Sequence, residues 1–553
     1  MQASAPLSSS PGHRSYNLRQ DLLERLQREI YDVAIIGGGI NGAVAAAAAS
    51  AAGLKVALVE KNDFASSTSQ ESSNLVWGGI KYLESYEFGL VWDLCRSRNE
   101  LMRHYPLEVK ELRFFTNLER GFRKPRFLVY LGALLYWFMG RFKTQAPRLL
   151  SRSTIQQEEP IVAVGTSQGG LEYSDCYLKD NDARFVFHFI RRAQKSGATT
   201  LNYTDVKHAR WGQDRFWHIE VDDRVQGATK QLRAKVLINA AGPYADQLNA
   251  ISGIQTRYRH IFSKGVHLIV RRLTESEKVL TFFADDGRLF FVIPMGACSC
   301  IGTTDTRVQT LPPRVEPADR QFILENINKR LTLSPALTEA DVISERCGVR
   351  PLVVSGGEGD MELEDWVQLS RKHEIETKKD QSHISIFGGK LTDCLNIGRE
   401  ILVELKRLGL DPRDPRLWYG EGAAKAKQQY FSEAKRMGLA QTQVMGDGSL
   451  AERLWRNYGE DALSILELLH RQPDLQQPIV SSAPVILAEA AYMGAEELVV
   501  DLEDFLRRRT RLSLVVGRME LAHCRNLYRA CELLFGSRAE DQWQRYFKTQ
   551  IPA

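Results

Sequence analysis

Residues Tyr31–Glu60 read YDVAIIGGGINGAVAAAAASAAGLKVALVE, and this stretch decides the fold. Val33–Ile36 has strand character and is followed by Gly37, Gly39 and Gly42 in G-x-G-x-x-G register. An alanine-rich helix, Gly53 and a second apolar run, Lys55–Val59, lead to Glu60. In such a unit the first glycine permits the tight turn. The second lets backbone approach a pyrophosphate, and the third lets helix and strand pack closely. The helix start presents N–H groups and the positive end of a dipole, which together stabilise a phosphate; Asn41 stands at that start. Glu60 would accept hydrogen bonds from a ribose diol and repel a 2′-phosphate, so NADP is disfavoured while FAD and NAD both stay open. The three glycines alone are a weak signal; Ala46, Gly53 and Glu60 falling where the fold needs them is what strengthens it.

The 553 residues suffice for two or three domains with large cores. A 43% hydrophobic and 25% charged composition is ordinary for a globular protein, and a net charge of +5 is too small to argue for a nucleic-acid partner. Eight cysteines without a C-x-x-C pair read as reduced cytoplasmic thiols, with no metal site or disulfide framework expected. Residues 1–20 are polar and read as an unstructured tail, neither secretory signal nor membrane span, running into a short helix at Leu18–Glu29. The most apolar window, Phe127–Gly140, is 14 residues long, whereas a span needs about 20. Basic residues Arg120, Arg123, Lys124 and Arg126 precede it, and Arg141, Lys143 and Arg148 follow. It fits either a buried helix or a segment lying in a lipid interface with its cations on anionic headgroups.

Beyond Glu60, the Ser and Thr run from Ser66 to Ser73 offers hydroxyls and loop N–H groups to the cofactor, and Gly78-Gly79 permits close backbone approach. Asp93–Tyr105 and Asp182–Ser196 read as amphipathic helices, and Trp211–Lys235 alternates as strands. Ala234–Ala241 is a near-continuous apolar strand, as in a parallel sheet buried on both faces, and Gly242 at its end suits ligand approach. The nucleotide fold therefore resumes after an insertion. Residues 257–310 read as antiparallel strands, and Phe387–Gly409 as strand, glycine turn and helix. From about Pro415 the pattern becomes helical, with segments at Ala423–Met437, Leu450–Asn457, Asp461–His470, Val485–Met493, Asp501–Val516 and Leu521–Leu534. The basic run Arg507, Arg508, Arg509 and Arg511 fits a solvated face, an anionic-membrane contact or docking on the nucleotide-binding part.

GGGINGA (Gly37–Ala43), the SS-x-L-x-x-GG-x-x-YLE segment (Ser72–Glu84), LEYSDC (Leu171–Cys176) and NAAGP (Asn239–Pro243) occur in order. They are followed by KGVH (Lys264–His267), FVIP and IGTTDT (within Phe291–Thr306), GVRP (Gly348–Pro351), FGGKLT (Phe387–Thr392) and DLEDFLRRRTRL (Asp501–Leu512). With these markers the chain resembles the FAD-dependent, quinone-linked glycerol-3-phosphate dehydrogenases, a branch of the D-amino-acid-oxidase-like flavoproteins. The resemblance implies an α/β architecture: a Rossmann-like FAD-binding domain interleaved with an antiparallel-sheet substrate domain, plus an all-helical C-terminal domain. The expected division is an N-terminal tail and helix (1–30) and FAD-binding segments near 31–110, 160–255 and 340–414. Substrate-binding segments fall near 111–159 and 256–339, and the helical domain at 415–553.

It also implies FAD contacts from Ser72, Ser73, Trp77, Gly78, Gly242, Gly388, Gly389, Lys390, Leu391 and Thr392, besides the fingerprint residues. The helix start near Thr392 would face the flavin N1–C2=O edge. Arg350 and Arg371, with Lys81 and Tyr82, would hold a phosphorylated substrate, because paired guanidinium groups suit a dianion. His267 would contact the reacting hydroxyl or take its proton, and Lys390 would lie near flavin and substrate. Read alone, His267 equally fits a hydrogen-bonded core residue, each arginine a surface charge and Lys390 an exposed lysine. Three departures stand out: Trp77 where the family commonly has histidine, Lys81 where arginine is usual, and Asp393-Cys394-Leu395 after GGKLT in place of Thr-Tyr-Arg. Trp77 makes covalent flavin attachment at that position unexpected.

The expected reaction is oxidation of sn-glycerol 3-phosphate to dihydroxyacetone phosphate, hydride passing to flavin N5 and electrons onward to a membrane quinone. The expected setting is cytoplasmic and peripheral on the inner face of the membrane, with a homodimer among the assemblies allowed. Alternatives are an oxygen-using oxidase, a dehydrogenase of another phosphorylated polyol, and a non-catalytic nucleotide-binding protein.

Overall fold

In the computed structural model, residues 11–548 are described except 121, 123, 356–371, 416 and 445–447. The strand Ile30–Ile36 sits at the heart of an eight-stranded sheet. It pairs in parallel with Val56–Val59 on one side and Ala228–Asn239 on the other, Ile36 facing both Val59 and Asn239. His383–Phe387 continues the parallel order beyond Ala228–Asn239, and Thr199–Leu201 beyond Val56–Val59. Alternate residues enter different cores. Val33, Ile35, Val56, Leu58, Val236 and Ile238 pack under the alanine helix Ile40–Ala51. Ala34, Ile36, Ala57, Val59 and Leu237 pack on the opposite face with Trp217 and Leu232. Burial on both faces is why these strands read as unbroken apolar runs.

A ten-stranded second sheet carries the rest of the central region. Its long pair is Tyr258–Arg271 against Val342–Ser355, antiparallel, with Arg346 opposite His267 and Arg350 opposite Ser263. The sheet is not wholly antiparallel, since Val279–Phe283 runs parallel to Val109–Glu119. It also recruits Leu75–Val76, Ser167–Leu178 and Val342–Ser355, which the sequence reading assigns to the FAD-binding segments. Long apolar strands look alike whichever sheet they join, so composition does not separate the two.

The C-terminal region is helical as expected, including Leu450–Tyr458, Leu487–Glu496 and Arg525–Phe535. Two short ribbons interrupt it, one of them Ala483–Ile486 with Pro478–Val480, so Val485 is strand rather than helix. The N-terminal helix begins at Pro11, well inside the expected tail. Arg19 from it is buried and bonds Asn202 and Asp223. That ion pair and the burial of Leu23 and Leu26 hold the helix on the nucleotide-binding sheet.

The helix Arg126–Met139 buries only Ala133, Tyr136 and Met139. Phe127 is 66% exposed and Phe138 55%, with Leu128, Leu131, Leu135 and Phe142 also open. The buried-helix reading therefore gives way to an exposed apolar face. No helix among the described residues is long and apolar enough to cross a membrane.

Helix and first strand meet backbone to backbone: a Cβ on Gly42 would lie 1.9 Å from the Gly37 carbonyl oxygen. Gly42→Ala should accordingly force the helix off the sheet. The expected cost is at least the ~1–3 kcal/mol typical of overpacking, measured as a lowered denaturation midpoint. An unaltered midpoint would mean the contact is loose in solution.

Candidate active site

A cleft of about 670 Å³ opens at the carboxyl ends of the parallel strands, in the size range of clefts that bury a ligand. Gly37, Gly39, Asn41, Glu60 and Gly242 line it, together with Gly388 and Gly389 from the far end of the sheet. Gly37, at φ +110°, has no room for a side chain, its Cβ position being 2.4 Å from the Ala240 carbonyl oxygen. Asn41 donates to the Gly388 carbonyl at 3.0 Å and so ties the fingerprint helix to the second glycine turn. The helix start lacks a cap of its own, and Ser69 Oγ supplies one by accepting from the Ile40 N–H at 3.0 Å. Glu60 accepts from the Gly38 and Asn62 N–H groups at 2.8 and 3.0 Å. Burial raises its carboxyl above the usual range despite those two donors.

Of the hydroxyl residues in the Ser66–Ser73 run, only Ser66–Ser69 line the cleft, and this loop's share of the lining ends at Glu71. Ser72, expected at the cofactor, instead gives its N–H to Asp182 at 2.8 Å and its carbonyl to Arg346. Gly42 lies beneath the cleft, packed on Gly37. Thr392 is buried in the turn that starts the helix Cys394–Arg407, with Leu391 half-buried beside it. Ser73 is half-buried and outside the cleft lining.

The second sheet supplies two of the groups expected at the substrate, Arg350 and His267. The Arg350 guanidinium lies over Gly265, where a Cβ would come within 2.5 Å of it. It donates to Thr303 Oγ1 at 3.1 Å and the Thr304 carbonyl at 3.3 Å, and its Nη1 is 3.4 Å from Asp305. His267 pairs across to Gly302 on one side and Arg346 on the other. Burial, then the positive charges of Arg350 and Arg346, push its imidazole down to about 3, so it is neutral. Its Nδ1 is buried and finds no hydrogen-bond partner among the described residues. Lys390 Nζ sits 3.8 Å from the centre of the Tyr82 ring, a cation–π contact that links the glycine turn to the Ile80–Leu83 turn. Lys81 is exposed there. Trp77 is half-buried, its Nε1 3.4 Å from the Tyr173 hydroxyl. Arg371 lies outside the described residues.

One feature without a sequence-level role is the buried carboxylate of Asp175. It accepts from the Gly78 N–H at 3.2 Å, from Arg98 at 3.2 Å and from the Tyr136 hydroxyl at 2.5 Å. The Trp77-Gly78 backbone is thereby fixed to the helix with the exposed apolar face.

The model of the FAD dependent oxidoreductase family matches residues 32–363, and that of the C-terminal domain of alpha-glycerophosphate oxidase matches 421–534. A glycerol-3-phosphate dehydrogenase of Pseudomonas aeruginosa is 32% identical over 504 residues, covering 88% of this chain and 93% of that one. Glycerol-3-phosphate dehydrogenase 2 of Mycobacterium tuberculosis is 32% identical over 89% of this chain and 82% of its own. The chain belongs to the FAD-dependent glycerol-3-phosphate dehydrogenase and oxidase family. A crystal structure of the glycerol-3-phosphate dehydrogenase from Bacillus halodurans complexed with FAD superposes with TM-score 0.73 at 25% identity, covering 98% of this chain and 97% of that chain.

FAD is the cofactor, and the cleft fits it. A glycine floor that any Cβ would fill, a helix start above it and an acid at the second strand's end are the parts a dinucleotide needs. In this flavoprotein the Asp393 departure has a structural partner. Asp393 receives His373 Nδ1 at 2.6 Å, while His373 Nε2 is 3.0 Å from Glu400. Burial opposes the charged imidazole, but the two carboxylates outweigh it and lift His373 to about 9, from an ordinary 6.5. Because the folded value is the higher one, the pair's contribution to stability is complete below pH 6.5 and is lost as pH rises through about 9. Comparing melting temperatures of wild type and His373→Gln from pH 6 to 10 should show the gap between them closing over that window. A gap independent of pH would show that His373 is not charged in the fold.

Proposed function

We propose that this flavoprotein oxidises sn-glycerol 3-phosphate to dihydroxyacetone phosphate and delivers the electrons to a quinone at a membrane surface. The observation that carries the reading is Arg350 held over Gly265 beside a neutral, buried His267. Arg350 offers a permanent charge and a planar fork, which match phosphate oxygens, and it is oriented by oxygens of Thr303, Thr304 and Asp305. Bound FAD supplies the two-electron acceptor for the hydride leaving C2.

His267 is a poor base because it is buried and, after that, because Arg350 and Arg346 both bear on it. A phosphate dianion on Arg350 offsets one of those charges, so the imidazole gains proton affinity as substrate arrives and takes the proton of the C2 hydroxyl. Lys390 and Tyr82 close the side toward the Gly388–Gly389 turn. Arg371 and Lys81 complete the phosphate contacts in this reading, as the family pattern has it.

The quinone half rests on the helix Arg126–Met139. Its exposed apolar face is bordered by exposed Arg120, Lys124, Arg141 and Lys143, the composition of a segment lying in an anionic interface. This supports peripheral attachment at the cytoplasmic face.

Anaerobic addition of glycerol 3-phosphate should bleach the flavin absorbance, and a spectrum that stays oxidised would sink the substrate assignment. Arg350→Ala should raise KM at least tenfold, the scale of about 1.5–3 kcal/mol for a charge-assisted hydrogen bond. An unmoved KM would place the phosphate elsewhere. Turnover with a quinone analogue should exceed peroxide formation in air. The protein should also sediment with anionic vesicles, and a Phe127→Glu, Leu131→Glu variant should stay in the supernatant. Peroxide as the main product would identify an oxidase.

A further inference from the structure

The loop from Glu60 to Glu71 has two sides. Its inner side lines the FAD cleft. Its outer side meets a π-helical turn of the C-terminal domain, Asp504–Arg509. Arg507 reaches both oxygens of Glu71, at 3.0 and 2.9 Å. Arg508 reaches Asp63 at 2.7 Å and Gln70 at 3.1 Å. Arg509 forks onto both oxygens of Asp63, at 2.8 and 2.9 Å. Successive residues of an ordinary α-helix fan out by about 100°, so three adjacent side chains seldom grip one loop. The wider π turn lets them, and such turns concentrate at functional sites.

The contacts are built rather than incidental. The Asp63 side chain is fully buried, and Arg508 and Arg509 are 5% and 3% exposed. None of the three arginines lines the cleft. Between their attachment points lie Ser66–Ser69, including the Ser69 hydroxyl that caps the fingerprint helix. Of the readings open for the basic run, docking on the nucleotide-binding part is the one realised.

We propose that the C-terminal domain is a cofactor-retention element, in which Arg507, Arg508 and Arg509 act as positioning residues that hold the 60–71 loop, through Asp63 and Glu71, in the shape that binds FAD. The proposal rests on the cleft being the FAD site. Losing one arginine frees the loop without touching the cofactor, so the defect should appear in flavin affinity rather than in the fold.

Full-length wild type, Arg507→Met, Arg507→Lys and Arg509→Met would be stripped of FAD and titrated with it, following flavin fluorescence. Arg453→Met serves as control, because Arg453 forks onto Glu489, a residue of the same C-terminal domain. Arg507→Met should bind FAD at least tenfold more weakly and release it faster, with circular dichroism and melting at saturating FAD close to wild type. Arg509→Met should lose at least as much affinity and, leaving buried Asp63 with Arg508 as its arginine partner, also melt lower. Arg507→Lys should recover part of the affinity, and Arg453→Met should stay within twofold of wild type. Should Arg509→Met not fold, Arg507→Met, whose Glu71 partner is less buried, decides alone. Affinity within twofold of wild type in Arg507→Met overturns the proposal, as does an equal loss in Arg453→Met, which would reduce the effect to domain stability. Wild-type protein that takes up no FAD would instead overturn the assignment of the cleft.

Discussion

Three pieces of backbone meet without an intervening side chain: the end of the first strand at Gly37, the helix one turn later at Gly42, and the carbonyl of Ala240 closing the strand from the middle of the chain. Any Cβ at Gly37 or Gly42 would overlap a carbonyl oxygen, so the contact tolerates no side chain. Its product is a floor of main-chain atoms under a helix start, the surface a diphosphate requires. The other cofactor-facing parts are tethered to it. Asn41 fastens the Gly388 turn to it, and Ser69 fastens the serine loop.

Around this floor the chain distributes charge in two ways. Beside Arg350 and Arg346, burial first and then the two guanidinium groups keep the His267 ring neutral. On the outer side of the serine loop, charge is cancelled. There a buried aspartate is pulled down to about 2, burial being outweighed by Arg509 and Arg508. In the proposed reading the first arrangement receives an anion, while the second fixes geometry. Breaking a buried pair from one side costs far more than the pair contributes when intact.

The nucleotide-binding unit was legible because its constraints are local: turn, helix and acid all lie within Tyr31–Glu60. The strand at Ala234–Ala241 was legible because double burial imposes a continuous apolar run. Asp393 could be marked as a departure from the family pattern, yet its partner His373 is met only through the fold. Arg508 and Arg509 could be counted, but not given a role, since Asp63 lies more than four hundred residues earlier in the chain. The apolar helix near Phe127 shows the limit of composition in another way. Hydropathy reports that a segment is apolar, whereas its exposure depends on whether anything else in the fold covers it. The LEYSDC motif was visible, but the three hydrogen bonds that Asp175 gathers from Gly78, Arg98 and Tyr136 come from separate elements.

The central parallel sheet draws its strands from positions as far apart as Ile30 and Phe387. A ribosome emits these in sequence, N-terminal portions first, and pairings of such wide separation form slowly. Until Gly389 has left the exit tunnel, the nascent chain owns a fingerprint but no complete pocket, so flavin capture is a late event in biosynthesis. Through that interval the Leu237–Asn239 end of the Ala228–Asn239 strand waits unpaired, while Ala228–Ala234 is already covered by Trp217–Asp223, and an unpaired edge is the kind of template on which chains aggregate.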